Sequence, residues 1–302
     1  MKALGIYLLK TRIHGIFTIS ALSLLSLFIS PLSYFISGAP MGLLALRKGP
    51  RTGLQVACGC LLLTILMAMA LGAQTGIPVA FMVSVWLPVI LCASILRRTQ
   101  SQGLAVLCAG GAGAIVTAYI YLVLDEIQAW WQDWFARWQE YAISGETASQ
   151  LEQINESITP LLSAFITSGF VFSLITTLLL ARWWQSALFN PGGFRQEFYS
   201  LRLPRALLFP ALLGLCALLL AADNAPVLVR DMVILMLILY LYQGLSVIHG
   251  AVHGRPLSRL MLTGLYISFF LLPHAVLMFV SCAGIVNSCI GRAPVRITDE
   301  NV

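Results

Sequence analysis

Charge is what this chain has least of. Asp, Glu, Lys and Arg make up 10% of its 302 residues, against about a quarter in a soluble domain. With 59% hydrophobic residues and a mean hydropathy of +0.88, this excludes a water-soluble enzyme, a disordered chain and a fibrous one. What remains is an all-α, polytopic transmembrane helix bundle. Catalytic signatures are missing as well. There is no G-x-S-x-G, no H-E-x-x-H, no pair of aspartates inside an apolar run and neither of the glycine-rich phosphate loops. The sequence therefore predicts no enzyme and no cofactor, with an intramembrane transferase built on His274 or on Asp125 and Glu126 as the minor alternative. No cleavable leader is expected, because the apolar run after the basic N-terminus lacks a cleavage site and continues as a span. The net charge of +6 and pI near 9.1 point to cytoplasmic loops rather than to nucleic acid.

Of the seven cysteines, Cys58, Cys60, Cys92, Cys108 and Cys216 sit in apolar runs, where cysteine is a small hydrophobe. Cys282 and Cys289 lie near the C-terminal boundary, where an extracytoplasmic location would allow a disulfide.

What is present is apolar runs. They predict nine crossings: Ile13–Ser30, Leu32–Leu46, Gly53–Ala73, Ile77–Leu96, Gly103–Leu124, Ile158–Ala181, Ala206–Ala222, Val229–Gly250 and Leu260–Val286. Placing the N-terminus in the cytoplasm puts 14 of 18 basic residues inside and 11 of 12 acids outside, as cytoplasmic retention of Lys and Arg requires. The C-terminus then lies outside. The first two runs count as two crossings because Lys10, Arg12, Arg47, Lys48 and Arg51 then share one side. The second run is short and contains Gly38-Ala39-Pro40, so it reads as an irregular or re-entrant helix buried in protein. Merging it with the first would leave eight. The whole of residues 1–302 reads as one transmembrane domain in the lipid bilayer of a bacterial inner membrane, with an extracytoplasmic insert over residues 125–157 and a basic cytoplasmic loop over residues 185–205.

In the insert, Ile127, Trp131, Trp134, Trp138 and Tyr141 recur at helical spacing. They predict an amphipathic Trp-rich helix at the outer interface, either an aromatic anchor or a lid over an outward-facing pocket. Small residues mark two helix faces: Cys108 to Ala114, and Ser20, Ala21, Ser23 and Ser26. Each either packs within the bundle or docks a membrane protein partner. In the basic loop, Phe194, Phe198 and Leu201 predict a short surface helix, with Arg195, Arg202 and Arg205 facing headgroups or a partner.

Acids are absent from the middle of every predicted span, which argues against a proton relay. His274, after Pro273, is the only ionisable group expected well inside. The eighth span offers Tyr240, Tyr242, Gln243, Ser246 and His249, either as interhelical hydrogen bonds or as the polar part of a ligand pocket. A pocket lined by Trp86, Tyr119, Tyr240, Gln243 and His274 is the resulting expectation. His249 and His253 stand one turn apart without an evident third metal ligand.

Three features together resemble the YybS-like family of bacterial multi-spanning membrane proteins. They are the hairpin ending in Ala45-Leu-Arg-Lys-Gly-Pro-Arg-Thr-Gly53, the segment Pro191-Gly-Gly-Phe-Arg-Gln-Glu-Phe…Leu-Arg-Leu-Pro204, and the closing spans. That family is distantly similar to the substrate-binding S components of energy-coupling-factor transporters and to the rod-shape protein MreD. The first likeness implies a bundle cupping a small molecule near its outer face, with Ser20, Ala21, Ser23 and Ser26 against a coupling subunit. The leading expectation is thus a binding or transport component. The alternative is a structural scaffold in the manner of MreD, its partner surface formed by Phe194, Arg195, Arg202, Arg205 and the small-residue faces.

Overall fold

The computed structural model describes residues 2–29, 32–123, 130–133, 137, 161–221 and 224–291. Among them every regular element is a helix. In chain order these are α1 (Lys2–Lys10), α2 (Arg12–Ser26), α3 (Ser33–Lys48), α4 (Pro50–Ala70), α5 (Gly76–Thr99), α6 (Gln102–Val123), α7 (Leu162–Phe189), α8 (Gly193–Tyr199), α9 (Leu208–Ala221), α10 (Val227–Val252), α11 (Ser258–Leu271) and α12 (Pro273–Ile290). Six of them, α4, α5, α6, α7, α10 and α12, are long and apolar enough to cross a membrane. Helices α2, α9 and α11 are shorter apolar helices.

The centre of one half is α3. Every residue from Ser37 to Leu46 is buried. The expectation of a helix buried in protein holds, but the helix is not broken at Pro40, which lies inside it. Gly38, which reads as a breaker, and Gly42 are packing residues. A Cβ at Gly38 would come within 2.7 Å of the Thr177 methyl, and one at Gly42 within 2.8 Å of the Ala181 Cβ. One turn apart, they let α3 lie close against the small residues of α7. Helix α3 ends at Gly49, whose φ of 95° suits a residue without a Cβ, and Pro50 opens α4. Arg97 of α5 donates to the carbonyls of Leu46 and Arg47 at 3.0 and 2.8 Å, satisfying orphan acceptors at the α3 terminus.

Residues 2–10, which read as a charged lead-in, form a helix of their own. Leu8 is fully buried. Thr11 ends this helix and caps α2, its hydroxyl accepting from the His14 N–H at 3.3 Å.

The other half closes on α10 and α12. A Cβ at Gly244 would fall 1.9 Å from the Val280 carbonyl oxygen, and one at Gly284 2.2 Å from that of Tyr240. Here two backbones touch, and only glycine fits. The small-residue stretch of α6 is likewise internal: a Cβ at Gly110 would meet Leu239 and one at Gly113 would meet Val171 and Leu235.

Residues 260–286 are not one continuous helix. Leu272, forced away from the helical region by the following proline, has φ −134° and ψ 59° and separates α11 from α12. Gly291 at the end of α12 stands against the Arg205 guanidinium.

The disulfide expectation is corrected. Cys282 and Cys289 are free thiols on the same helix. Seven residues of helix separate their Cα atoms by about 10 Å along the axis, beyond the span of a disulfide.

Candidate functional site

Two cavities stand at different parts of the bundle. The first, of about 270 Å³, lies between α2, α4 and the start of α5. Leu24, Leu27, Leu71, Ile77 and Phe81 form its apolar walls, and Trp86 is part of its lining. Trp86 sits in a π-helical turn, Met82–Trp86, within α5, and such turns recur at functional sites. Its indole is fully buried and donates to the Ser37 Oγ at 2.8 Å. Ser37 in turn shares a hydrogen bond of 2.7 Å with Ser23, which also lines the cavity. The indole is therefore fixed by a two-hydroxyl chain, and Ser23 completes it by donating to the Ile19 carbonyl.

The second cavity is larger, about 770 Å³, and is framed by α7, α8, α10 and α11. Its walls are aromatic: Phe172, Trp183, Phe194, Phe198, Tyr242 and Tyr266. Phe194 and Phe198 stack one turn apart on α8, and Phe198 meets the His249 ring edge-on. The Tyr242 hydroxyl is held by the Phe172 carbonyl at 2.8 Å and the Thr176 hydroxyl at 2.6 Å. His249 has its tautomer set by its neighbours. Nδ1 faces the Leu245 carbonyl at 2.8 Å and so carries the proton, which leaves Nε2 to accept from the Tyr266 hydroxyl at 3.1 Å. Lys2 and Arg195 complete the lining.

Helix α8 is clamped in place by an ion pair. Arg182 of α7 donates through Nε to Glu197 Oε2 at 2.8 Å and through Nη2 to Oε1. This fork is the geometry in which guanidinium and carboxylate pair best. Glu197 is the one acid on the side that the charge count assigns to the cytoplasm, and it is already bonded.

The five residues expected to share a pocket do not meet. Of the five, Trp86 alone lines either of these two cavities. Tyr119 is 64% exposed on α6 and His274 is exposed in the first turn of α12, so neither faces an interior. Tyr240 is fully buried in the core. Gln243 is buried and fully engaged: its Oε1 accepts from the Leu203 N–H at 3.0 Å, and its Nε2 approaches Gly284 O, Asn287 Oδ1 and Ser288 Oγ at 2.8–3.2 Å. It ties the segment before α9 to α10 and α12. Of the proposed partner residues on α2, Ser20, Ser23 and Ser26 are buried within the chain and only Ala21 is exposed. Phe194 and Arg195 line the large cleft, the Arg202 carbonyl packs where a Cβ on Gly103 would be, and Arg205 is exposed beside Gly291.

Sequence reasoning missed a buried acid. Asp231, read as a span-end residue, is fully buried in α10, where the Tyr121 hydroxyl donates to its Oδ2 at 2.9 Å. It also missed Ser37, the acceptor for Trp86, although a serine one turn from the small residues of a short apolar run was available as a signal. Tyr266 could have been found from its helical partner across the loop, His249. The aromatic insert falls largely outside the described residues. In its described part, Trp131 is buried and donates from its indole to Ser163 at the start of α7 at 2.9 Å, and Trp130 packs edge-on against it. No family model matches this chain, and neither a curated protein nor a solved structure does.

Proposed function

We propose that this chain is a multi-pass protein of a bacterial inner membrane that binds a small, mostly apolar molecule in the Trp86 cavity. The resemblance to YybS-like proteins and, at a distance, to S components supports the same reading. The observation that carries it is the cavity itself: an apolar space held open beside a π-helical turn, its indole fixed by Ser37 and Ser23. A small apolar pocket with a few placed polar groups is the usual form of a ligand site. The N-terminus lies in the cytoplasm with Arg47, Arg97, Arg182 and Arg195, and the cavity opens towards the opposite face. The end of α12 shares the cytoplasmic side with Arg205, against which it stands. This placement adds two arginines to the cytoplasmic side. The tail beyond residue 291 also holds two acids, which weigh little in orientation.

A scaffold role is the second reading, favoured by the glycine-packed seam of α10 and α12, which leaves no space there for a ligand. Native mass spectrometry on protein extracted from its own membrane separates the two. A molecule of defined mass retained by the wild type and absent from a folded Ala68→Phe variant, in which the new ring fills the cavity, supports binding. Equal mass in both variants, with a stoichiometric protein partner, supports the scaffold.

A further inference from the structure

We infer that the large cleft between α7, α8, α10 and α11 is a specific site for an anionic phospholipid of the leaflet on its side of the bilayer. The inference rests on the membrane reading above but not on the Trp86 cavity.

The cleft has two chemistries in one space. Its floor and walls are aromatic and aliphatic, and the polar atoms of Tyr242, Tyr266 and His249 are already paired. The Tyr242 hydroxyl is bonded to α7, and the Tyr266 hydroxyl and His249 satisfy each other and the Leu245 carbonyl. Between these groups the surface is mostly hydrocarbon and ring face, so it suits an acyl chain. The rim differs. Lys2 and Arg195 line it, and no acid does. The nearest acid in sequence, Glu197 on the same short helix as Arg195, is occupied by Arg182. Arg195 is exposed, and no salt bridge joins it to any described residue. A trough for hydrocarbon beneath two unopposed cations matches a diacyl lipid with a net negative phosphate head. Basic pockets between spanning helices on the cytoplasmic side bind such heads, and guanidinium holds phosphate through paired N–H groups. A zwitterionic lipid would bring its own cation against Arg195 and Lys2.

The test uses the full chain, stripped of lipid in detergent and titrated with dioleoylphosphatidylglycerol, dioleoylphosphatidylcholine or inorganic phosphate, with bound mass read by native mass spectrometry. One phosphatidylglycerol is expected per protein, preferred over phosphatidylcholine by about ten- to thirtyfold, since each cation near such a surface contributes ~1 kcal/mol. The double variant Lys2→Gln, Arg195→Gln should bind both lipids equally while melting at the wild-type temperature, because both side chains are exposed. Equal affinity for the two lipids in the wild type would overturn the proposal, as would an unchanged preference in the double variant. Displacement of the lipid by millimolar inorganic phosphate would also overturn it, marking a site for free anion alone. Ala68→Phe separates the two cavities. Preference kept in that variant supports the cleft, whereas preference lost there but kept in the double variant would move the lipid to the Trp86 cavity.

Discussion

The seam between α10 and α12 and the cavity between α2, α4 and α5 are made from the same kinds of residue and end differently. In the seam, Gly244 and Gly284 face backbone carbonyls, and the helices close until the main chains touch. Beside the cavity, the small residues Ser23 and Ala68 face a space of about 270 Å³ that no described residue fills. A small residue in a membrane helix is thus not yet a packing statement. It becomes one only when an opposing backbone arrives, and what brings the backbone in the seam is Gln243, which bonds three segments at once. The cavity has no such tie. Its polar chain, Trp86 to Ser37 to Ser23, runs beside the space and fixes one wall rather than drawing the walls together.

The comparison breaks first at the seam. Gly244→Leu must push α12 away from a carbonyl that a Cβ alone would approach to 1.9 Å. A loss of at least about 3 kcal/mol is expected, as for overpacking that a backbone cannot yield to. The readout is loss of the monodisperse peak after heating in detergent. If Gly244→Leu elutes and melts as the wild type does, the seam is looser than described. Gln243→Leu should cost less, about 2–3 kcal/mol, because it leaves the buried Leu203 N–H and its other partners without their hydrogen bonds. The melting temperature measures it, and Gln243→Glu should recover only part of the loss, since a carboxylate keeps the acceptor for Leu203 and loses the donor towards Gly284.

This ordering also marks what could be read beforehand. The helical class, the apolar runs and the basic loops were legible because period and charge are local properties. Arg97 and Arg182 line one small cavity, and Arg182 reaches the short helix that carries Arg195. Partners were not legible. Gly38 and Pro40 read as breakers because sequence displays their conformational cost and hides Thr177 and Ala181 opposite. His274 read as buried because it lies in an apolar run, yet Pro273 makes it the first turn of a new helix, on the surface. Asp231 read as peripheral because it is near a span end, and Tyr121 across the bundle is what lets it stay inside.

At the cavity, Ser37→Ala removes the acceptor of a fully buried indole N–H. A cost of about 1–2 kcal/mol is expected from one unsatisfied buried donor. The fluorescence of Trp86 should change with it, read in a variant whose other tryptophans are phenylalanine. An unchanged melting temperature and spectrum would mean the indole finds another partner, and the cavity would lose its fixed wall.

The smallest effect is the sharpest test of the comparison. Ala68→Phe adds a ring at a position almost as buried as the seam glycines, 9% exposed. Burial alone would predict the overpacking penalty of Gly244→Leu. The geometry predicts otherwise, because the new atoms enter a space lined by Leu27, Leu71 and Phe81 rather than a carbonyl. Apolar area gained there offsets the lost rotamer freedom, so stability should stay within about 1 kcal/mol of the wild type in either direction, as for a cavity-filling change without strain. A melt that falls as far as that of Gly244→Leu would mean the cavity is closed in solution and the two regions do not differ. A melt that holds leaves the cavity as space kept open, against the hydrophobic tendency to close it, by the rigid wall that Trp86, Ser37 and Ser23 form.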